Sequence, residues 1–388
     1  MKTQSLARAF CVALAAASAI ETTACASAYN LTLIADTAGP LSTLANPAIG
    51  PTGDVVFRAN LDVGGQVIYR GNGGALISVA DNSAPSAYLG FGDPVINASG
   101  TTAFLAGRKA GGQGIFTVNG ATTGTVALTT GAGGLFSSLG SSSLAINSSG
   151  LVSFQGDKSG ATGIHASVSG GSSFPIAEST GPYSSFAGFT NINDAGTVAF
   201  QANLDAGGAG VFSGSGGAVT TLADSSGIIN TTMNGPAINS LGLSAFMAGL
   251  DAGGTGLFTS DGISLSTIAT TAGPFNSFNT TVGNGPSINS AGKIIFRAIP
   301  DSGSDGFYDG PNPATNKVIA LGDALSGSTV NFLSALSGRM NDSGQFVFFA
   351  TLNDGRNAIF RADPIPEPSS FVLAAGTMIF LRRRQRAH

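Results

Sequence analysis

The sequence contains no tryptophan and only two cysteines, two histidines and five tyrosines in 388 residues. Both cysteines, Cys11 and Cys25, lie within the first 28 residues, so the remainder has no thiol for a disulfide or a cysteine-based metal site. Between residues 29 and 363 the only histidine is His165. This region therefore lacks the residues for a catalytic triad, and for a metal site, that needs several histidines or a cysteine.

Charged residues are also scarce, at 10% of the chain. Residues 29–363 contain 11 basic and 19 acidic residues, a net charge of −8. Binding to nucleic acid requires a basic surface that displaces counterions, and no such stretch is present, so no nucleic-acid partner is expected. Neither a nucleophile-elbow motif nor a phosphate-binding fingerprint occurs in its required context. The sequence therefore favours a protein that is not an enzyme.

Glycine and phenylalanine are abundant, with 57 and 25 copies, and they recur in a fixed pattern. Seven landmark glycines lie 46 to 52 residues apart, each is followed four residues later by Phe, and in six repeats Asn lies three residues before the glycine. Gly50 takes the Asn position in the first repeat. The glycine and Phe pairs are Gly53 and Phe57, Gly100 and Phe104, Gly150 and Phe154, Gly196 and Phe200, Gly242 and Phe246, Gly292 and Phe296, and Gly344 and Phe348.

Each repeat predicts four short β-strands joined by turns. Asn193 can cap its own turn, and Gly196 accepts a positive φ without steric cost. Phe200 then lies in a β-favouring segment whose alternate residues face a core. In most repeats an aromatic residue follows 16 residues after the landmark glycine; in the third, His165 stands one position early. Four-stranded units of about 48 residues are typical of β-propeller blades.

The two ends of the repeat region indicate that the propeller closes. The seventh repeat stops at residue 363 without its fourth strand. Before the first repeat, Leu31 to Pro40 matches the fourth strands of other repeats, for example Ile176 to Pro182. The sequence thus predicts an all-β fold over residues 29–363, with seven four-stranded blades closed by the N-terminal strand. An open β-repeat array is the alternative, although it would leave strand edges exposed.

Several aspartates follow the landmark glycines by nine or ten residues, in the next turn of the repeat. In a closed ring these turns share one rim, where carboxylates could hold Ca²⁺. The simpler interpretation is that each Asp begins a glycine-rich turn, and no cofactor is expected. The aspartates are Asp62, Asp205, Asp251, Asp301 and Asp354.

The N-terminus has the organisation of a secretory signal over residues 1–28. Lys2 and Arg8 precede the apolar stretch from Ala9 to Ile20, and Ala26 and Ala28 are the small residues that signal peptidase requires. This predicts signal peptidase as a partner and export across the inner membrane. A lipoprotein signal using Cys25 is a weaker alternative, because Thr22 stands where Leu is usual.

The C-terminus, residues 364–388, combines a tripeptide, an apolar run and a basic end. Pro366, Glu367 and Pro368 precede the apolar residues Phe371 to Leu381. Eleven residues span about 17 Å as a helix, against about 30 Å for the hydrocarbon core, which suits a transient rather than a permanent anchor. The basic end stays on the cytoplasmic side. It consists of Arg382, Arg383, Arg384 and Arg386.

This terminus resembles the PEP-CTERM sorting signal of exported bacterial proteins. The resemblance implies recognition and processing by an exosortase-type membrane protease, followed by delivery to the cell surface or extracellular matrix. The repeat region is similar to exported proteins with tandem NxxGxxxF repeats and variable C-terminal anchors, at Asn193, Gly196, Phe200 and their equivalents. That family implies no defined activity.

The expected function is therefore a structural or binding module of the cell envelope or matrix that is not an enzyme. Exopolysaccharide or envelope proteins are the candidate partners. A carbohydrate-binding propeller is the alternative, although tryptophan and tyrosine, which stack on sugars, are rare. A glycan hydrolase or lyase would require two carboxylates about 5 to 10 Å apart, which a sequence does not reveal.

Overall fold

A computed structural model describes residues 29–83, 85–140, 144–281 and 283–366 of the chain. These residues form β-strands and turns, with one short 3-10 helix at Thr130–Ala132 and no α-helix among them. Within the same residues, no helix reaches the length and hydropathy needed to cross a bilayer. The predicted cleavage residues Ala26 and Ala28, and the sorting residues from Glu367 onward, lie outside the described residues.

The strands form seven sheets, which are the blades of a β-propeller. The chain begins with β1 (Tyr29–Asp36), which belongs to the last blade. The first blade contains β2 (Leu41–Leu44), β3 (Ala48–Ile49), β4 (Val55–Leu61), β5 (Gln66–Gly71) and β6 (Ile77–Asp81). The second contains β7 (Tyr88–Phe91), β8 (Val95–Ile96), β9 (Thr102–Arg108), β10 (Gln113–Asn119) and β11 (Thr122–Leu128). The third contains β12 (Phe136–Leu139), β13 (Ala145–Ile146), β14 (Val152–Lys158), β15 (Ala161–Ser167) and β16 (Phe174–Glu178).

The remaining four blades follow the same plan. The fourth contains β17 (Tyr183–Ile192), β18 (Val198–Leu204), β19 (Ala209–Gly214) and β20 (Thr220–Asp224). The fifth contains β21 (Ile229–Met233), β22 (Ala237–Ile238), β23 (Ser244–Leu250), β24 (Thr255–Ser260) and β25 (Leu265–Thr270). The sixth contains β26 (Phe275–Phe278), β27 (Ser287–Ile288), β28 (Ile294–Pro300), β29 (Gly306–Tyr308) and β30 (Lys317–Ala320). The seventh contains β31 (Ala324–Leu325), β32 (Ser328–Ser334), β33 (Phe346–Leu352) and β34 (Asn357–Pro364), together with β1.

The first six blades place their strands in the order in which they occur in the chain, from the centre of the ring outward. In the fourth blade the order is β17, β18, β19 and β20, all antiparallel. The innermost strand is divided in most blades, and Pro47, Pro94, Pro236 and Pro286 lie at the same point of four repeats. Proline has no backbone N–H to donate, so the ladder is interrupted there, whereas β17 has Thr190 at this point and continues.

The predicted closure is confirmed. Strand β1 pairs with β34 along its length, from Tyr29 opposite Pro364 to Asp36 opposite Ala358. The N-terminal strand is therefore the outermost strand of the seventh blade. This pairing is incompatible with the alternative of an open array, because both ends of the repeat region meet in one sheet.

The repeated phenylalanines form the core between blades. All seven are at most 1% exposed. In the fourth blade, Phe200 stacks on Phe212, and both pack against Ile164 and Ile176 of the third blade. Equivalent clusters fill each junction around the ring, including the one where Val347 and Ile359 of the last blade meet the first. Most blades thus present an aromatic face to one neighbour and an aliphatic face to the other, whereas the sixth blade presents Phe307 to the aromatic face of the seventh.

The ring has two faces that the repeat defines. The Asn-x-x-Gly turns connect the first and second strands of each blade, so they lie on one face, which we call the asparagine face. The turns that contain Asp205 and its equivalents lie at the other end of the second strand, on the opposite face, which we call the aspartate face. Strand β34 ends on the asparagine face, close to the turn that contains Gly344. A Cβ atom added to Gly344 would lie 3.4 Å from the Pro364 side chain.

Candidate functional site

The repeated asparagines line the central channel at the asparagine face and link neighbouring blades. The Asn193 Oδ1 accepts a hydrogen bond from the Thr197 backbone N–H at 3.0 Å, which closes its own turn. Its Nδ2 donates to the Asn239 backbone carbonyl of the next blade at 3.1 Å. Four further donations of this kind, at 3.0 to 3.2 Å, come from Asn97, Asn147, Asn239 and Asn341, the last to Gly50.

The landmark glycines make these turns possible. Their φ angles lie between 75° and 85°, in the left-handed region that residues with a Cβ rarely adopt. The Gly196 backbone N–H donates to the Asn193 carbonyl at 3.0 Å, which tightens the turn. The Asn and the glycine therefore act together, as the sequence indicated, but the asparagine side chain also reaches across to the next blade.

A shallow outer cavity of about 180 Å³ opens among these turns. It is lined by the asparagines and by a ring of apolar residues that immediately precede them. Asp194 and Asp342 stand at its mouth and accept hydrogen bonds from the Ser148 and Ser290 backbone N–H groups. The apolar residues are Ile49, Ile96, Ile146, Ile192, Ile238, Ile288 and Met340.

A second, inner cavity of about 100 Å³ lies next to it along the channel. Its wall includes Ala48, Val95 and Leu144, together with Ser337 and Arg339 of the seventh blade. Asn191 lines both cavities. Its side chain donates to the Pro236 carbonyl at 2.8 Å and lies against Gly338. The inner cavity therefore has both apolar and polar groups in its wall, and Arg339 is the one cationic side chain among its lining residues.

Arg339 is 7% exposed, and its Nε has no hydrogen-bond partner among the described residues. Burial lowers the pKa of Arg339 to about 10, and the nearby charge of Asp93 partly opposes that change. The guanidinium is therefore still charged at neutral pH.

Asp93 is the nearest negative charge, and other groups share it. The Arg58 Nη2 approaches Asp93 Oδ1 at 3.5 Å, and Asn46 donates to Asp93 Oδ2 at 3.3 Å. The Arg58 Nε is also buried without a partner in the described structure. Arg58 and Arg339 therefore share one carboxylate, and these three side chains together carry a net positive charge beside the inner cavity, which suits an anion.

The five aspartates of the opposite face lie in the turns where the sequence placed them. All five side chains are exposed. The backbone N–H of Asp205 donates to the Pro182 carbonyl at 3.0 Å, and Asp62 makes the same bond to Pro40. Among the described residues, no three His, Cys, Asp or Glu side chains come together in a way that could hold a metal ion. One of the five side chains acts as a local acceptor in its turn, since the Asp354 Oδ1 accepts a hydrogen bond from the Arg356 backbone N–H at 3.1 Å.

His165 occupies the position of a core aromatic residue. It is 1% exposed, lies opposite Phe154 in the sheet, and contacts the Phe136 ring at a centroid distance of 5.0 Å. It stands one position early because β14 and β15 are joined by the two-residue turn Ser159-Gly160. Burial lowers the pKa of His165, with a smaller opposing effect from Glu178. The side chain is therefore a neutral core residue.

Sequence reasoning did not identify Arg339, Arg58, Asp93 or Asn191. A signal was available: two residues before the landmark asparagine, most repeats carry a small or apolar residue such as Ala48 or Val95. Only the fourth and seventh repeats carry Asn191 and Arg339 there. Aligning the repeats on this position would have singled out both channel residues.

Solved structures with a similar fold are β-propellers or contain one. The β-propeller domain of the Trilobed protease from Pyrococcus furiosus is 12% identical, with a TM-score of 0.55 over 83% of this chain and 96% of that one. It has an open velcro topology, in contrast to the β1–β34 closure here. Oligogalacturonate lyase from Vibrio parahaemolyticus is 12% identical, with a TM-score of 0.53 over 87% of this chain and 97% of that one. At this identity the likeness shows the fold alone.

A search of curated proteins gave no match. Residues 26–227, which include the first four blades, match a family of unknown function (DUF7453). The match covers more than half of the sequence, and the chain belongs to this family.

Proposed function

We propose that this protein is an exported β-propeller of the cell envelope or extracellular matrix, and that it has a structural or binding role rather than an enzymatic one. Signal peptidase removes residues 1–28 after export. The C-terminal segment then holds the protein at the inner membrane until an exosortase-type protease processes it.

The observation that carries this proposal is the position of the two ring ends. Strand β1 begins at Tyr29, directly after the predicted signal-peptidase site, and β34 ends at Pro364, two residues before the predicted sorting tripeptide. Tyr29 lies opposite Pro364 in the sheet. Removal of both signals would therefore leave every strand of the ring in place, as a protein processed at both ends requires.

The tyrosines support a structural role over sugar stacking. All five lie within the described residues, and none of them is exposed. Tyr88, Tyr183 and Tyr308 pack against phenylalanines inside their blades. Tyr69 contacts Phe57, and Tyr29 lies beneath the Lys293 ammonium. Aromatic groups that stack on a sugar need an accessible face, which these residues use for packing.

The alternative is a carbohydrate-binding ring, with a glycan hydrolase or lyase as its enzymatic form. The oligogalacturonate lyase with the same fold acts on a glycan, but the likeness carries no site residues to this chain. The observation that favours binding is the cationic inner cavity around Arg339.

The sorting proposal is tested by replacing Pro366, Glu367 and Pro368 with alanine in the native host. We expect export to continue, because the N-terminal signal is intact, while the unprocessed protein accumulates in the inner membrane. Fractionation followed by mass measurement distinguishes the processed from the unprocessed chain.

The chain offers a matched control in the outer loop of the sixth blade. Pro311, Asn312 and Pro313 form a Pro-x-Pro tripeptide far from the C-terminus, and their replacement by alanine should leave the distribution of the protein unchanged. If the sorting variant, the control variant and the wild type all give the same fractionation, the C-terminal segment is not a sorting signal.

A further inference from the structure

We propose that the inner cavity of the channel binds a carboxylate through Arg339. The site is independent of the sorting proposal, because it rests on the geometry of the ring alone. The repeat pattern that builds the fold does not require an arginine at position 339, because the equivalent positions in the other blades carry Ala, Val, Asn or Ser.

The burial of Arg339 is the first argument. A guanidinium removed from water is destabilising unless a counter-charge or hydrogen-bond acceptors compensate it. The Nε of Arg339 lacks an acceptor, and the ion pairs of the described residues do not include Arg339. A bound anion would supply the missing partner.

A comparison with Arg297 shows how the ring treats a structural arginine. The Arg297 Nε and Nη2 donate to both oxygens of Asp305, at 2.9 and 2.6 Å, and Nη1 donates to the Leu333 carbonyl. Arg297 is thus fully engaged by the protein itself. Arg339 has the same donors and is buried, yet its Nε, the atom that Asp305 engages in Arg297, has no acceptor in the described structure.

The surroundings of Arg339 favour binding over simple solvation. Ala48, Val95 and Leu144 form an apolar wall, which lowers the local dielectric constant and strengthens an ion pair. Asp93 does not neutralise the site, because it also serves Arg58 and Asn46. An anion that enters therefore meets a net positive charge with few competing contacts.

A carboxylate fits these features better than a phosphate. The guanidinium fork matches the two oxygens of a carboxylate in a planar, bidentate arrangement. A cavity of about 100 Å³ has room for several water molecules or for one small group, at about 30 Å³ per water. A single net positive charge balances a monovalent carboxylate and leaves a divalent phosphate only half neutralised. The source is either a free small carboxylic acid or the carboxylate of an acidic sugar.

The test is calorimetric titration of acetate and of D-glucuronate into the purified full-length protein at constant ionic strength, with glucose as the neutral control. We expect one site per chain for the acids and none for glucose. Tighter binding of glucuronate would assign the site to acidic sugars, and equal binding would assign it to small carboxylates. Absence of binding by both acids overturns the proposal.

The variant Arg339→Met keeps the length of the side chain and removes its charge. We expect the affinity to fall at least about tenfold, in line with the loss of a charge-assisted pair. The matched control is Arg70→Met on the outer part of the first blade, where Arg70 pairs with Asp54, and it should bind as the wild type does. Equal affinity in Arg339→Met and the wild type overturns the proposal.

Two further variants keep the test decisive if Arg339→Met fails to fold. Arg339→Lys preserves the charge but loses the fork, so its affinity should be intermediate. Asp93→Asn removes the nearest competing carboxylate and should raise the affinity about threefold or more. Unchanged affinity in both variants would show that the anion does not bind beside Arg339.

Discussion

At the residue scale, the landmark asparagine performs two tasks with one side chain. Its Oδ1 closes the turn that begins the second strand, which the Asn-x-x-Gly spacing predicted. Its Nδ2 donates to the next blade, as Asn147 does to Asn193 at 3.2 Å. The Asn-x-x-Gly spacing predicts the hydrogen bond within the turn. The acceptor in the next blade depends on how two blades are placed, and the spacing within one repeat does not predict that placement.

His165 allows a prediction about pH at the same scale. Because burial lowers its pKa, the folded protein holds a neutral imidazole at a pH where the unfolded chain is already protonated. The unfolded state then binds more protons, so wild-type stability falls as the pH decreases below the unfolded pKa of about 6.5. The loss is at most about 1.4 kcal/mol per pH unit until the pH reaches the folded pKa.

We therefore expect His165→Phe to raise the free energy of unfolding relative to the wild type, and we expect this gain to be larger at pH 5 than at pH 7. Phe is the residue that stands at this position in the second and fourth blades. Urea unfolding at both pH values measures the difference, and His388→Gln is the control for a histidine outside the ring. If His165→Phe and the wild type lose the same amount of stability between pH 7 and pH 5, the pH dependence does not come from His165.

At the element scale, β1 supports the ring at two places. Leu31 and Leu33 pack against the cluster between the sixth and seventh blades, whereas Ile34 and Ala35 belong to the cluster between the seventh and the first. Arg356 also pairs with Asp36 at 2.9 Å, which links the strand to the adjoining turn. One short strand thus supports two of the seven junctions.

Deleting Leu31 to Asp36 should therefore destabilise the whole ring rather than one edge. Each buried aliphatic side chain contributes about 1.5 to 3 kcal/mol, and a loss of several kcal/mol lowers Tm by about 5 °C or more in a domain of this size. Scanning calorimetry measures the change. Deletion of the six residues 383–388 is the control of equal length, and an unchanged Tm in the β1 deletion would contradict closure by this strand.

At the scale of the whole molecule, the ring has a fixed orientation relative to its C-terminus. Strand β34 ends on the asparagine face, so a protein held at the membrane by the segment that follows would turn that face toward the bilayer. The aspartate face would then point away from it. This inference rests on the proposed sorting signal, and it is testable because residues 29–366 contain no cysteine.

We expect a bulky maleimide to distinguish the two faces in the sorting variant that stays at the membrane. Ala195→Cys and Asp205→Cys place a thiol at opposite ends of β18, and both positions are exposed in the ring. Asp205→Cys should react faster than Ala195→Cys on the membrane-held protein. On the processed protein the two rates should be similar, which is the control, and equal rates on both forms would contradict the orientation.

The repeat, its phase and its closure could be predicted from the amino-acid sequence. Gly196, Phe200 and their equivalents act within a few residues of chain, and such local turn and strand preferences recur wherever the pattern recurs. The charged cluster beside the inner cavity could not be predicted in this way. Arg339, Asp93 and Arg58 come from the seventh, second and first blades, and they approach one another because seven blades close into a ring. That proximity depends on the curvature of the whole sheet array, a quantity that no single repeat encodes.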